Sequence, residues 1–189
     1  MVLPVPSLIE RREYEVKRLL TNTPPQFRHE HKRAIVEHLK LERSGSTLRY
    51  SRWQPGALPL QLLNHQPVIS IKPSVYDYAG PSEGVWHVNF ADPDLFVAYA
   101  GRLLAQDELQ VIEHPSLAAL KEALVAEGLP AFTETESGPT PVLITGIERL
   151  GHLNTQPTIE RPQGLYGNEF ARAPLAEVLS ALTLNSPRP

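Results

Sequence analysis

Gln106-Asp107-Glu108 is the stretch best equipped for chemistry: two adjacent carboxylates beside an amide, where a polar, glycine-containing segment runs into apolar residues 109–112. Paired acids suit general acid–base work, because a like charge next door opposes the second ionisation and keeps a proton available. A solvated turn commonly carries the same pair, and the pattern alone leaves both readings open. Asn89 and Asp92 precede the doublet as candidate ligand contacts, with Gly101 between. Further on, Gly164-Leu165-Tyr166-Gly167-Asn168-Glu169-Phe170 sets two glycines and two aromatics ahead of a predicted helix. Such a turn lets backbone N–H groups approach a phosphate while an aromatic stacks on a sugar or base, although many Gly-x-x-Gly turns are only turns. His29, His31 and His38 lack the i, i+4 spacing with a third ligand that a metal needs, so no metal and no cofactor is expected.

The elements that must position these groups alternate. Ser7 with Glu10 has the form of a capping box, predicting a helix to about residue 21, where Pro24-Pro25 follow. Phe27, Ala34, Ile35 and Leu39 mark the inner face of a second helix ending near residues 44–46. Alternating residues 47–53 predict a strand, residues 58–63 are ambiguous, residues 68–71 form a short β-type run, and an aromatic loop with Tyr76 and Tyr78 follows. Residues 85–90 predict a strand, and Asp92-Pro93 the N-cap and first turn of a helix carrying Leu95, Phe96, Tyr99 and Leu103. Residues 109–112 read as a buried strand; Pro115-Ser116 restarts a helix that Gly128 stops. Residues 131–135 suit a strand, 141–145 a central strand, 152–162 a polar loop and 173–182 the last helix, before a fraying tail at 186–189.

A chain of 189 residues with 41% hydrophobic and 21% charged residues fits one folded domain of ordinary size. The absence of cysteine excludes a disulfide framework, thiolate catalysis and sulfur-ligated zinc. No apolar run reaches membrane-span length and no signal-peptide pattern opens the sequence, so a cytoplasmic protein with no membrane association is expected. Net charge is −3, which gives no general reason for binding nucleic acid electrostatically. Residues 1–43 are nevertheless basic, with nine Lys/Arg against six Asp/Glu. That suits a solvated helix face or an acidic partner; no obligatory protein partner is evident.

In order, Phe90-Ala91, Gly101-Arg102, Gln106-Asp107-Glu108 and Pro115 resemble the signature of poly(ADP-ribose) glycohydrolases, in which F-A-N leads through G-G-G to Q-E-E and a strand ending in C-P. Residues 142–148 resemble that family's I-I-T-G-x-E strand, and residues 164–170 its second diphosphate loop and the G-I-Y-G turn of macrodomains. The likeness covers roughly residues 85–183. It implies a three-layer α/β/α macrodomain-like mixed sheet over residues 47–185, with a helical extension at 1–46. It also implies an ADP-ribosyl glycohydrolase acting on ADP-ribose attached to protein or nucleic acid. Glu108 would be the acid/base that protonates the leaving oxygen and activates water, with Asp107 holding ribose hydroxyls. Asp92 stands where the family has the asparagine that contacts the distal ribose, and Gln106, Asn89 and Gly101 would be further ligand contacts. Gly164, Leu165, Tyr166, Gly167, Asn168 and Phe170 would hold diphosphate and adenosine, the turn's amides taking the diphosphate.

The chain departs from the family at three points. Phe96-Val97-Ala98 stands where the family has three glycines and reads locally as helix, Asp92 replaces asparagine, and Asp107 is a methylene shorter than glutamate. A catalytically inactive ADP-ribose-binding or nucleotide-binding macrodomain, or an interaction module that kept only the fold, is therefore the alternative.

Overall fold

The computed structural model describes residues 6–41, 45–56, 68–69, 71 and 85–185. Residues 58–63, the Tyr76–Tyr78 loop and the 186–189 tail, for which expectations were set, lie outside them. Its class is mixed α/β, and its sheets are small and antiparallel. The first is β1 (Leu8–Glu15), β2 (Thr47–Trp53) and β5 (Val142–Thr145), in the order β1-β2-β5. Two further pairs are β3 (Glu134–Thr135) with β4 (Gly138–Pro139), and β6 (Gly151–Leu153) with β7 (Leu182–Leu184). Among the described residues no mixed central sheet forms.

Residues 8–15 are a strand rather than the expected helix. Their half-buried positions, Glu10, Arg12 and Tyr14, alternate on one face, and Tyr14 pairs with Leu48 and Arg12 with Tyr50. A neighbouring strand supplies hydrogen bonds that override a capping pattern worth only about 1 kcal/mol. The N-terminal segment is thereby built into the main sheet. The chain then turns into α1 (Val16–Asn22), which packs on α4 (Ser116–Ala126), and α2 (Glu30–Leu39), which packs on α3 (Gln106–Glu113).

Expected strand 109–112 is also a helix. Every residue of α3 is buried, so the polar face that would reveal a helical period is missing from its sequence. Residues 85–90 carry no regular secondary structure and join no sheet; Trp86, Val88 and Phe90 are each more than 60% exposed. Val68, Ile69 and Ile71 are likewise exposed and outside any strand. Residues 95–100 make turns rather than the predicted helix. β5 lies at the edge of its sheet rather than its centre, which its alternating burial reflects. The last helix is divided into α5 (Glu169–Arg172) and α6 (Leu175–Ser180), because Pro174 holds Ala173 extended (φ −66°, ψ 146°). Helix α4 forms as expected, and Gly128 ends it in a left-handed conformation (φ 67°). The core lies between α3, α4, α1 and β2, with Leu48, Leu104, Val111, Ile112, Leu120 and Leu124 fully shielded.

Candidate functional site

Helix α3 begins at Gln106, so Asp107 and Glu108 occupy its first turn, where the helix dipole favours negative charge. Its start is secured by the Glu108 carboxylate, whose Oε2 accepts the Ala105 N–H at 2.8 Å. Gln106 does the work of a strand: its Nε2 donates to the Val88 carbonyl and its Oε1 accepts the Phe90 N–H, both at 2.8 Å. That amide rung fixes the 88–90 segment and delivers Asn89, whose Nδ2 donates to Asp107 Oδ1 and Gln110 Oε1, each at 2.8 Å. Asn89, Gln106, Asp107 and Glu108 therefore converge, and exposed Asp92 is near enough to act electrostatically on Asp107.

Both acids are buried, Asp107 to 7% and Glu108 to 4% exposure, so the solvated-turn reading fails. Burial pushes the Asp107 carboxyl up to about 6 against the Asn89 hydrogen bond that favours its anion; the Glu108 charge pushes the same way as burial. Asp107 is thus a carboxyl that exchanges a proton near neutrality. The opposing charge comes from α2, where Lys32 is completely buried. Lys32 donates from Nζ to the Tyr99 carbonyl at 2.8 Å, and desolvation lowers it to about 8 while Glu108 and Asp107 pull it back up. Sequence reasoning had counted Lys32 among the basic face of an extension. Its position one helical turn before Ile35 and two before Leu39 approximates the buried stripe, the signal that could have marked it.

Backbone pairing brings the late glycine turn to the acids: Gly167 N–H donates to the Leu104 carbonyl at 2.8 Å and Leu104 N–H to the Gly167 carbonyl at 3.2 Å. Gly164 and Gly167 both take left-handed φ of 66°. A Cβ on Gly164 would lie 2.5 Å from the Thr155 carbonyl oxygen, so no other residue fits there. The expected amide cradle is corrected in part. The N–H groups of Gly164, Leu165 and Gly167 bond the carbonyls of Arg161, Thr155 and Leu104, leaving those of Tyr166 and Asn168 without an acceptor among the described residues. Leu165 and Phe170 are core residues at 0% exposure rather than ligand contacts. Phe170 packs against His29 and His31 at ring distances of 5.7 and 5.4 Å, and His31 Nδ1 meets its carbonyl at 2.9 Å. Tyr166, half-buried, is the aromatic left for stacking. Gly101 sits in the turn after Ala98, with its N–H on the Ala98 carbonyl.

Phe96 adopts φ 58°, a left-handed conformation costly for a bulky residue. The backbone here keeps a glycine-like path without a glycine, held by a ring only 2% exposed. Its ring lines an apolar cavity of about 540 Å³ with Trp86, Val88, Leu117, Val142 and Ile144, and Asn89 and Gln110 reach the same space. Among the described residues no group of three or more His, Asp or Glu is arranged to hold a metal, and no helix is long and apolar enough to cross a membrane.

The site and fold together define a mixed α/β protein with a buried acid pair joined to a glycine turn. No protein-family model, no curated protein and no solved structure matches this chain.

Proposed function

We propose that the protein is an ADP-ribosyl glycohydrolase of macrodomain type, cleaving the glycosidic bond that joins ADP-ribose to protein or nucleic acid. The observation that carries this reading is the direct pairing of Leu104 with Gly167, which puts the glycine turn against the entry to helix α3 and its acid pair, although Leu104 and Gly167 lie 63 positions apart in sequence. Cleavage through an oxocarbenium-like state needs one proton delivered to the leaving oxygen and one carboxylate beside the forming cation. Glu108 is the acid/base. Asp107, with its carboxyl near 6 and its Asn89 partner, holds the second titrating position and takes ribose hydroxyls. The N–H groups of Tyr166 and Asn168 have no acceptor among the described residues and suit a diphosphate oxygen; Tyr166 stacks on the adenosine. Left-handed Phe96, standing where the resembled signature has its first glycine, is consistent with the same local backbone path.

Incubation with ADP-ribosylated protein or nucleic acid should release free ADP-ribose, and Glu108→Gln should abolish release. A second reading is favoured by the burial of Glu108 and its bond to Ala105: a module that binds ADP-ribose without turnover. Calorimetry showing tight ADP-ribose binding together with no release selects that reading, and no binding at all rejects both.

A further inference from the structure

The apolar cavity beside Phe96 has no role in the chemistry above, and its walls come from three places. Strand β5 gives Val142 and Ile144, helices α3 and α4 give Gln110 and Leu117, and the segment ahead of them gives Trp86 and Phe96. At about 540 Å³ it falls in the range of roughly 300–1,000 Å³ that takes small-molecule ligands. No Lys, Arg, Asp or Glu is among its described lining residues. An ion would shed water there with no charged side chain of the lining to replace it, so a diphosphate does not belong in this space. One wall is also strained, since Phe96 reaches the lining from a left-handed backbone, φ 58°, and conformations of that cost gather at ligand clamps.

A polar group is fixed at the buried end. Asp107, when ionised, can only accept, so the Asn89 amide must turn its Nδ2 toward it. The same Nδ2 gives its other hydrogen to Gln110 at 2.8 Å and therefore meets the Gln110 oxygen, Oε1. The carboxylate imposes this orientation although it leaves Asn89 Oδ1 buried without a donor. Gln110 is only 4% exposed and lines the cavity. With its oxygen engaged, the group it offers is Nε2, a donor that meets no acceptor among the described residues.

We propose that this cavity is a binding site for an uncharged, largely apolar small molecule carrying a carbonyl-type oxygen. The oxygen takes the hydrogen bond of Gln110 Nε2, and the hydrocarbon part fills the space between Phe96 and β5. Apolar walls attract without direction, whereas an oriented donor sets which way round the ligand lies. A ligand lacking the oxygen leaves that donor unmatched in a dry wall, so the site discriminates against plain hydrocarbons. The proposal is independent of the glycohydrolase reading.

The test uses two uncharged probes of similar shape, benzophenone and diphenylmethane, which differ by one carbonyl oxygen. Each is titrated into the full chain labelled with nitrogen-15 and followed by its indole and side-chain amide signals, assigned through bonds. The chain has two tryptophans, and Trp86 lines the cavity while Trp53 does not, so both probes should shift the Trp86 signal and leave Trp53 in place. The Gln110 Nε2 protons should move downfield with benzophenone alone, and benzophenone should bind about fivefold more tightly. Gln110→Glu keeps an oxygen for Asn89 and replaces the donor, and should abolish or reverse that preference. Val142→Trp fills the space from β5 and should remove binding of both probes. Equal affinity for the two probes with Gln110 unmoved overturns the proposal, as does a Trp86 signal that neither probe shifts. If Gln110→Glu does not fold, the wild-type Gln110 shift decides between these outcomes. Neither probe contains ADP-ribose, so the result stands apart from the release assay.

Discussion

Helix α3 carries a buried acid cluster at each end, and the two are built on opposite terms. At its C-terminal end Glu113 is 2% exposed, and the helix dipole disfavours its charge. It has more partners: Oε1 accepts the Leu153 N–H at 2.8 Å and meets His152 Nδ1 at 3.2 Å, and Arg149 Nη2 lies 2.7 Å from Oε2 as an ion pair, although burial still pushes its carboxyl above the usual range. Its backbone carbonyl also takes the Leu150 N–H, so α3 is bolted to the β6 region. At the N-terminal end the dipole favours the acids, yet no ion pair reaches Asp107 or Glu108 among the described residues, and Lys32, itself lowered by burial, acts on them only through its charge. Burial raises the acids at both ends; the many partners of Glu113 make its cluster a structural clamp, whereas Asp107, with one amide partner, is left with a proton to exchange near pH 6.

Removing the key acid at each end should separate the two roles. Glu108→Gln, near-isosteric, should lower ADP-ribose release by about 10²- to 10⁴-fold with little change in melting temperature; undiminished release would dissolve the contrast. Glu113→Ala takes the carboxylate from Arg149 and the acceptor from the Leu153 N–H, and should cost about 3–5 kcal/mol in urea unfolding. A loss below about 1 kcal/mol would mean that the C-terminal cluster is no clamp.

The N-terminal cluster should also write itself into the pH dependence of stability. Asp107 has its folded value raised from 3.8 to about 6, so its favourable contribution is complete below pH 4 and is lost as pH rises through 6. Asp107→Asn keeps an acceptor for Asn89 and should stabilise the protein above pH 6 by about 2–3 kcal/mol, flattening the decline between pH 4 and 6. Lys32, lowered from 10.5 to about 8, adds stability as pH rises from 8 toward 10.5. Denaturant midpoints measured from pH 4 to 10 check both signs.

The smallest effects concern the glycine turn. Gly164→Ala should cost more than Gly128→Ala, although both residues have φ near 66°, because only at Gly164 does a Cβ meet a carbonyl oxygen. The expected costs are about 2–3 and about 1 kcal/mol. Equal melting temperatures in the two variants would mean that the turn is not held against Thr155.

The groups of the candidate site are more legible in sequence than the elements that carry them. Asp107, Glu108, Gln106, Asn89 and the two glycines stand out as candidates by residue type and spacing, because polar residues at the head of an apolar run and glycines before a helix are local signals. Lys32 was passed over as surface charge: nothing within its own segment tells a buried lysine from a solvated one. Phe170 reads in sequence as a ligand contact because an aromatic near a glycine turn looks the same whether it faces a cleft or His31. Helix α3 and strand β1 were exchanged in type, each for the reason that its surroundings, not its own periodicity, decided the outcome.

By itself, then, the order of amino acids determined which groups are available for chemistry, where glycine is indispensable, where α4 starts and stops, and that no thiol takes part. Tertiary structure alone decided that the acid doublet is dry, that a lysine from the N-terminal helices answers it, and that three of the turn's amides are already engaged. The physical reason is that burial and partnership are properties of neighbours brought together across the chain. Desolvation, which moves Asp107 and Lys32 toward neutrality, exists only once those neighbours have closed around them.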